Sequence, residues 1–270
     1  MTSPLLFDPR AVEAAKKLAI MIPGALARVD MFEAAQSWTD AGYALAHYRF
    51  PGLDGRPLSP KLRIEEAAQT VADFVAGYPA KKICLLGYST GGPIAIRAAE
   101  KTATPVRVAA MSSAVPMAGG LTSLQAIAAD ILAAAARARS VRRNTVWREY
   151  FKVLLLGRAV VRDKALMAQA QLLLDAHLPQ MVYPDAPLLS AHADDLRRWK
   201  LPKGARLSAK HLAFFAGAAD PVFSVSKTEG FARLFGEPQV RFYPGQGHLL
   251  FMTHPSVFDD ILTFFEAAGP

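Results

Sequence analysis

The stretch KICLLGYSTGGPIAIRAAEK, residues 82–101, decides how this chain folds. It opens on an apolar, strand-like run, turns through Gly87, Ser89 and Gly91, and continues with apolar residues at helical spacing. A strand that passes directly into a helix forces the residue at the corner into a strained conformation. Side chains two positions to either side would collide there, and Gly87 and Gly91 remove those collisions. The following helix aims its N-terminal amides and positive dipole end at Ser89. Pro93 falls in the first turn, where its missing N–H has no intrahelical partner to lose. The five-residue pattern G-x-S-x-G is weak alone, because glycine is common in the chain. The competing reading is a glycine-rich turn or phosphate loop, but neither G-x-x-x-x-G-K-[ST] nor G-x-G-x-x-G occurs. The strand–turn–helix context therefore favours Ser89 as a nucleophile.

Working outward, six short apolar or β-branched runs precede turn residues: 18–24, 43–50, 82–89, 106–114, 211–220 and 240–247. Helix-period segments separate most of them, as in MFEAAQSWTDAG, RIEEAAQTVADFVAG and SVSKTEGFARLFG. This alternation predicts an α/β fold, a mostly parallel, doubly wound sheet of about six or more strands. It breaks once. Between the fourth and fifth runs the sequence has only helical patterns: LTSLQAIAADILAAAARA, VWREYFKVLLLGRAV, KALMAQAQLLLDAHL and LLSAHADDLRRW. The predicted organisation is a core of residues 1–115 and 207–270, with a helical cap or lid, 116–206, inserted after the fourth strand. Ligands of open α/β sheets bind beyond the carboxyl ends of the strands, so an insertion leaving from that edge would roof the site.

A serine hydroxyl needs a base to take its proton. His47 lies within a predicted strand, His211 begins one, and His177 and His192 fall in the insertion. His248 follows the last strand in YPGQGHLLF, at the same edge as Ser89; its rival, His254, reads as the start of the final helix, ahead of Pro255. The base also needs a carboxylate to fix its tautomer. Asp220, in FFAGAADPVFS, lies just past the fifth strand, whereas Asp194 and Asp195 lie on a helix of the insertion. The expected catalytic residues are thus Ser89, Asp220 and His248, in that chain order.

With these residues the sequence resembles the α/β-hydrolase superfamily over nearly its whole length: GYSTGG as nucleophile elbow, GAADPVFS as acid loop, GQGHLLF as histidine loop. IPGALARVDMF resembles the oxyanion loop, with Pro23 where a histidine often stands. The resemblance implies an oxyanion hole made by the backbone amides of Ala25 and Thr90, with Leu26 as an alternative donor. YRFPGLDGRP resembles the loop after the next strand, where Arg49 either anchors the loop, the favoured reading, or faces the site. About 17 residues precede the first predicted strand, so the opening antiparallel hairpin of many members is expected to be missing or reduced. The resemblance to carboxylesterase and lysophospholipase-like members implies a serine hydrolase acting on a carboxylic ester through an acyl-enzyme. An acyltransferase, thioesterase, amidase, lactonase or C–C hydrolase could use the same triad, and a non-catalytic member would bind a small ligand under the roof.

Composition narrows the alternatives. With 270 residues, 52% hydrophobic and 20% charged, the chain reads as globular. The single cysteine, Cys84, sits in an apolar run and has no intrachain partner. The N-terminal residues lack a basic segment followed by an apolar run, and no uninterrupted apolar stretch approaches the ~18 residues of a membrane span, so a cytoplasmic location is expected. No metal-ligand spacing and no nucleotide or flavin glycine loop is found, so no cofactor is expected. Net charge is +8, and residues 121–165 hold nine Lys or Arg against three Asp or Glu. That surplus reads mainly as a solvated helix face; a weak contact with an anionic membrane surface is the secondary expectation, and nucleic-acid binding is not expected. The expected partner is a small, hydrophobic acyl or ester substrate.

Overall fold

The computed structural model of the chain describes residues 3–115, 120–202, 204 and 207–267. Its sheet has seven strands: β1 (Leu5–Phe7), β2 (Lys17–Ile22), β3 (Tyr43–Tyr48), β4 (Lys82–Tyr88), β5 (Val106–Met111), β6 (Leu212–Gly217) and β7 (Gln239–Tyr243). They lie in the order β1-β3-β2-β4-β5-β6-β7. All pairs are parallel except β1 with β3. All six predicted strands are present. The seventh, β1, escaped the sequence reading because three residues carry too little period to stand out; the opening hairpin is reduced to this one antiparallel strand.

The central strands are buried on both faces because helices flank the sheet. They are α1 (Pro9–Ala14), α2 (Ile64–Ala76), α3 (Gly91–Lys101), α8 (Val225–Ala232) and α10 (Val257–Glu266), and a one-turn helix, α9 (Leu250–Thr253), precedes the last of these. Residues 83–88 of β4 and all of β6 are buried, which is why these strands read as continuous apolar runs rather than alternating ones. The helix-period run MFEAAQSWTDAG, residues 31–42, falls largely in a 3₁₀-helix, Val29–Thr39, rather than an α-helix. The Ser37 and Thr39 hydroxyls each donate to the carbonyl three residues earlier, Ala34 and Gln36, in keeping with the tighter winding.

Among the described residues between β5 and β6 lie four α-helices: α4 (Leu121–Ala138), α5 (Arg143–Leu156), α6 (Lys164–Ala176) and α7 (Ala186–Leu196). The expected domain limits, Pro116 and Arg206, lie outside the described residues. Among those described, α4 alone is long and apolar enough to cross a membrane, although Asp130 interrupts it; here it packs on α5. Of the basic residues around it, Arg158 pairs with Asp130 and Arg148 with Asp175.

The chain leaves β2 for β3 on one side and then crosses back through α2 to β4 on the other. The strand order therefore reverses between β2 and β4, and a crevice opens at their carboxyl ends. Register pairs Ile22 with Gly87 there, so the loops carrying Ala25 and Ser89 emerge side by side.

Candidate active site

Ser89 stands at the β4–α3 corner with φ of 49°, the left-handed region that costs a non-glycine residue about 1–2 kcal/mol. The two flanking glycines are needed sterically. A Cβ on Gly87 would lie 2.2 Å from the Gly91 carbonyl oxygen, and one on Gly91 would lie 2.1 Å from that of Ile22. The corner is held by Ser89 N–H donating to Met111 O at 2.9 Å and by Ser113 Oγ donating to Ser89 O at 2.7 Å.

His248 and Asp220 meet Ser89 from the neighbouring loops. His248 Nε2 lies 3.2 Å from Ser89 Oγ, and His248 Nδ1 lies 2.7 Å from Asp220 Oδ2. A carboxylate can only accept, so Nδ1 carries the proton and Nε2 presents its lone pair to the serine hydroxyl. The other oxygen, Asp220 Oδ1, accepts from the N–H groups of Val222 at 2.7 Å and Phe223 at 2.9 Å. Asp220 and His248 are buried, and Tyr88 and Phe223 pack their rings beside the imidazole. Burial pushes the Tyr88 phenol well above its ordinary pKa, so it stays neutral and donates to His248 O at 3.3 Å.

The insertion is fastened to these loops. Carbonyls in the last turn of a helix lack intrahelical donors. At the end of α5, those of Leu155 and Leu154 accept from Gly247 N–H at 2.8 Å and Leu249 N–H at 3.1 Å, on either side of His248. Gly157, with φ of 82°, follows directly, and a Cβ there would lie 2.5 Å from Ala219 O, beside Asp220.

The loop after β2 turns tightly, with Ala27 N–H donating to Gly24 O at 3.1 Å and Leu26 at φ of 63°. A residue with positive φ at the third position is the mark of a type II turn, where glycine is usual. Gly24 permits the close approach to the corner: a Cβ there would lie 2.9 Å from Ser89 Cβ. Ala25 and Thr90 both line the cavity at Ser89, and neither backbone N–H has a hydrogen-bond partner among the described residues. The Leu26 N–H is engaged elsewhere, donating to His192 Nδ1 at 3.0 Å. Of the donors inferred from sequence, the amides of Ala25 and Thr90 are thus unpartnered among the described residues, and that of Leu26 is engaged.

Ser89 and His248 open into a cavity of about 220 Å³. Its far walls come from the insertion, including Ile127 and Ile131 of α4, Trp147 and Phe151 of α5, and Leu189 of α7. Among the described residues no cluster of three His, Cys, Asp or Glu side chains could hold a metal ion.

The other histidines are placed away from this chemistry. His47 is half-buried in β3, and the partial loss of hydration there lowers its pKa. His177 Nδ1 bonds Leu173 O, and His211 ends a 3₁₀ turn just before β6 rather than beginning the strand. His254 lies between α9 and α10, stacked near Tyr243. Asp194 pairs with Arg63, while Asp195 pairs with the same arginine and accepts from Ile64 N–H, so both bind α7 to the start of α2. Arg49 donates to Asp54 O at 3.0 Å, as an anchor of its loop.

A mostly parallel sheet carrying a serine on a strained strand-to-helix corner, with histidine and aspartate on the adjacent loops, defines the class. The sequence profile of the Alpha/beta hydrolase family matches residues 19–261, and the chain belongs to that family. Solved structures similar to it include a protein described as the non-heme bromoperoxidase BpoC from Mycobacterium tuberculosis H37Rv, at 15% identity, covering 98% of this chain and 96% of that one, with a TM-score of 0.74. A thermophilic esterase from Thermogutta terrifontis is similar at 18% identity, covering 95% and 92%, with a TM-score of 0.66. MenH from S. aureus is similar at 17% identity, covering 98% of each chain, with a TM-score of 0.65. At these identities the likeness is one of fold. No curated protein matches the chain.

Proposed function

We propose that this hydrolase-family protein is a serine esterase for a hydrophobic acyl ester of small to medium size. The observation that carries this reading is the continuous relay from Asp220 through His248 to Ser89, at 2.7 and 3.2 Å, beside two free backbone amides and an apolar cavity. Ser89 Oγ attacks the acyl carbonyl carbon as its proton passes to His248 Nε2. The carbonyl oxygen becomes an oxyanion, received by the N–H groups of Ala25 and Thr90. Such donors are worth about 2.7–4 kcal/mol each when aimed at the charge that develops in the transition state. The imidazolium, steadied by Asp220, protonates the leaving alkoxide, and the acyl group stays on Ser89. Water then gives its proton to His248 and attacks the ester, and collapse of the second tetrahedral adduct releases the acid and restores the serine.

The helical insertion acts in this reading as the roof that selects the acyl chain. Burying one methylene is worth about 0.8 kcal/mol, close to a fourfold gain. With p-nitrophenyl esters of graded chain length, kcat/KM is expected to climb about three- to fourfold per added methylene. The rise should end at the chain length that fills the cavity, beyond which kcat/KM levels off or falls. Ser89→Ala should abolish turnover throughout. A flat profile, or hydrolysis that survives in Ser89→Ala, would count against the proposal.

A further inference from the structure

His192 lies outside the relay, yet it joins three segments that frame it. It stands on α7, its side chain buried, and lines the same cavity as Ser89. Its Nε2 is 2.7 Å from Pro51 O, and a carbonyl can only accept, so Nε2 carries the proton. Its Nδ1 then has a free lone pair, which receives the Leu26 N–H at 3.0 Å. A single neutral tautomer satisfies both bonds, and an imidazolium would set an N–H against the Leu26 N–H. Burial lowers the pKa of His192, which keeps the ring neutral near pH 7. The ring also packs in a T-shaped contact with Phe50, at 5.6 Å between centroids.

The helix beneath this histidine is firmly held. Leu62 N–H donates to Ala191 O at 3.0 Å, Ile64 N–H donates to Asp195 Oδ2 at 2.8 Å, and Trp199 Nε1 donates to Glu65 Oε1 at 3.1 Å. In the loop on the other side, Leu26 holds a left-handed φ without being glycine, one turn hydrogen bond closes residues 24–27, and the next polar ties come at Arg28 and Val29, both to Asp54. A fixed acceptor above a strained turn has a direct geometric result. Holding the Leu26 amide toward α7 sets the orientation of the preceding peptide planes, including the one that bears the Ala25 N–H.

We infer that His192 is a positioning residue for the oxyanion hole: its neutral imidazole binds the Leu26 amide and so fixes the turn that aims the Ala25 amide at Ser89. The inference rests on the esterase reading, because an oxyanion hole has a purpose only if an acyl carbonyl is attacked. It also assigns the insertion a part in the chemistry beyond covering the cavity.

Side-chain amides separate the two ring nitrogens. His192→Asn places an acceptor near the Nδ1 position, His192→Gln places its amide near the Nε2 position, and His192→Leu keeps neither. Steady-state kinetics on the best p-nitrophenyl ester should show kcat lowered about 10- to 100-fold in the Leu and Gln variants, with KM within about threefold. Asn should recover most of the loss. An unchanged kcat in His192→Leu, a loss confined to KM, or an Asn variant as impaired as Leu would overturn the assignment. If His192→Leu does not fold, as judged by circular dichroism, the contrast of Asn with Gln decides. The ring ¹⁵N shifts of His192 read the bridge without turnover: a protonated Nε2 and bare Nδ1 are expected at pH 7, and the reverse tautomer overturns the inference. Wild-type protein with no Ser89-dependent turnover would instead bring down the esterase reading, and the role of His192 with it, whatever tautomer is found.

Discussion

Replacing Asp220 by asparagine tests the relay where its geometry is most restrictive. The two backbone N–H groups of Val222 and Phe223 occupy Oδ1, so the asparagine must turn its carbonyl oxygen to them. Its NH₂ group then faces His248 Nδ1, where the native carboxylate accepts at 2.7 Å. Flipping the amide would aim two donors at two donors, a worse arrangement in a buried site. His248 must therefore accept at Nδ1 and carry its proton on Nε2, facing Ser89 Oγ, where it can no longer receive the serine proton. In serine-protease triads the same change leaves the geometry intact and lowers kcat by about 10⁴. That factor corresponds to about 5.4 kcal/mol of barrier. Asp220→Asn should approach this loss with KM little changed and a folded far-UV spectrum. The assay is burst and steady-state hydrolysis of the preferred p-nitrophenyl ester at pH 7–8, with stability followed by urea unfolding. A folded Asp220→Asn protein retaining kcat within about tenfold of wild type would refute the tautomer argument.

Other consequences follow from the same contacts. Gly91→Ala would drive a methyl group into the Ile22 carbonyl, so a loss of about 1–3 kcal/mol in urea unfolding is expected, together with failure of Ser89 acylation; wild-type stability would contradict it. Burial opposes ionisation of Glu65, but hydrogen bonds from Arg97, Trp199 and Lys101 outweigh it and hold the carboxyl at about 2, below its unfolded value of about 4.3. The resulting stability is complete above the unfolded pKa and drains away as pH falls toward 2. Thermal melts of Glu65→Gln should thus lie below wild type at pH 7 and converge with it in acid, whereas a constant gap would point away from ionisation. Ile127→Trp, which fills the α4 side of the cavity, should move the preferred acyl chain to shorter lengths; an unchanged profile would place the chain elsewhere.

The core of the fold was legible because its signals are local. Residues 83–88 are apolar on both faces, and Gly87, Ser89 and Gly91 crowd one corner, so strand, turn and helix could be read in one pass. Strand β1 could not, since its three residues gain their meaning from pairing with β3 some forty residues away. The Val29–Thr39 segment has a helical apolar pattern, but spacing does not separate an α-helix from a 3₁₀-helix. At the site, Ser89, Asp220 and His248 each follow a predicted strand, so order along the chain implied a shared edge. His192 has no such marker: in sequence it is one histidine among helical patterns, and only tertiary structure brings it to Leu26 and Pro51. The support given by Leu154, Leu155 and Ser113 is likewise invisible in sequence, because two of the three act through backbone carbonyls, whose placement residue type does not encode.

The central claim is that Ser89 is an activated nucleophile, and the most direct measurement is the intact mass of the protein after exposure to a fluorophosphonate, with wild type beside Ser89→Ala. The account predicts one covalent adduct on wild type, mapped to the peptide containing Ser89, and none on the variant. A folded wild type that stays unmodified, or an adduct that persists in Ser89→Ala, would contradict it.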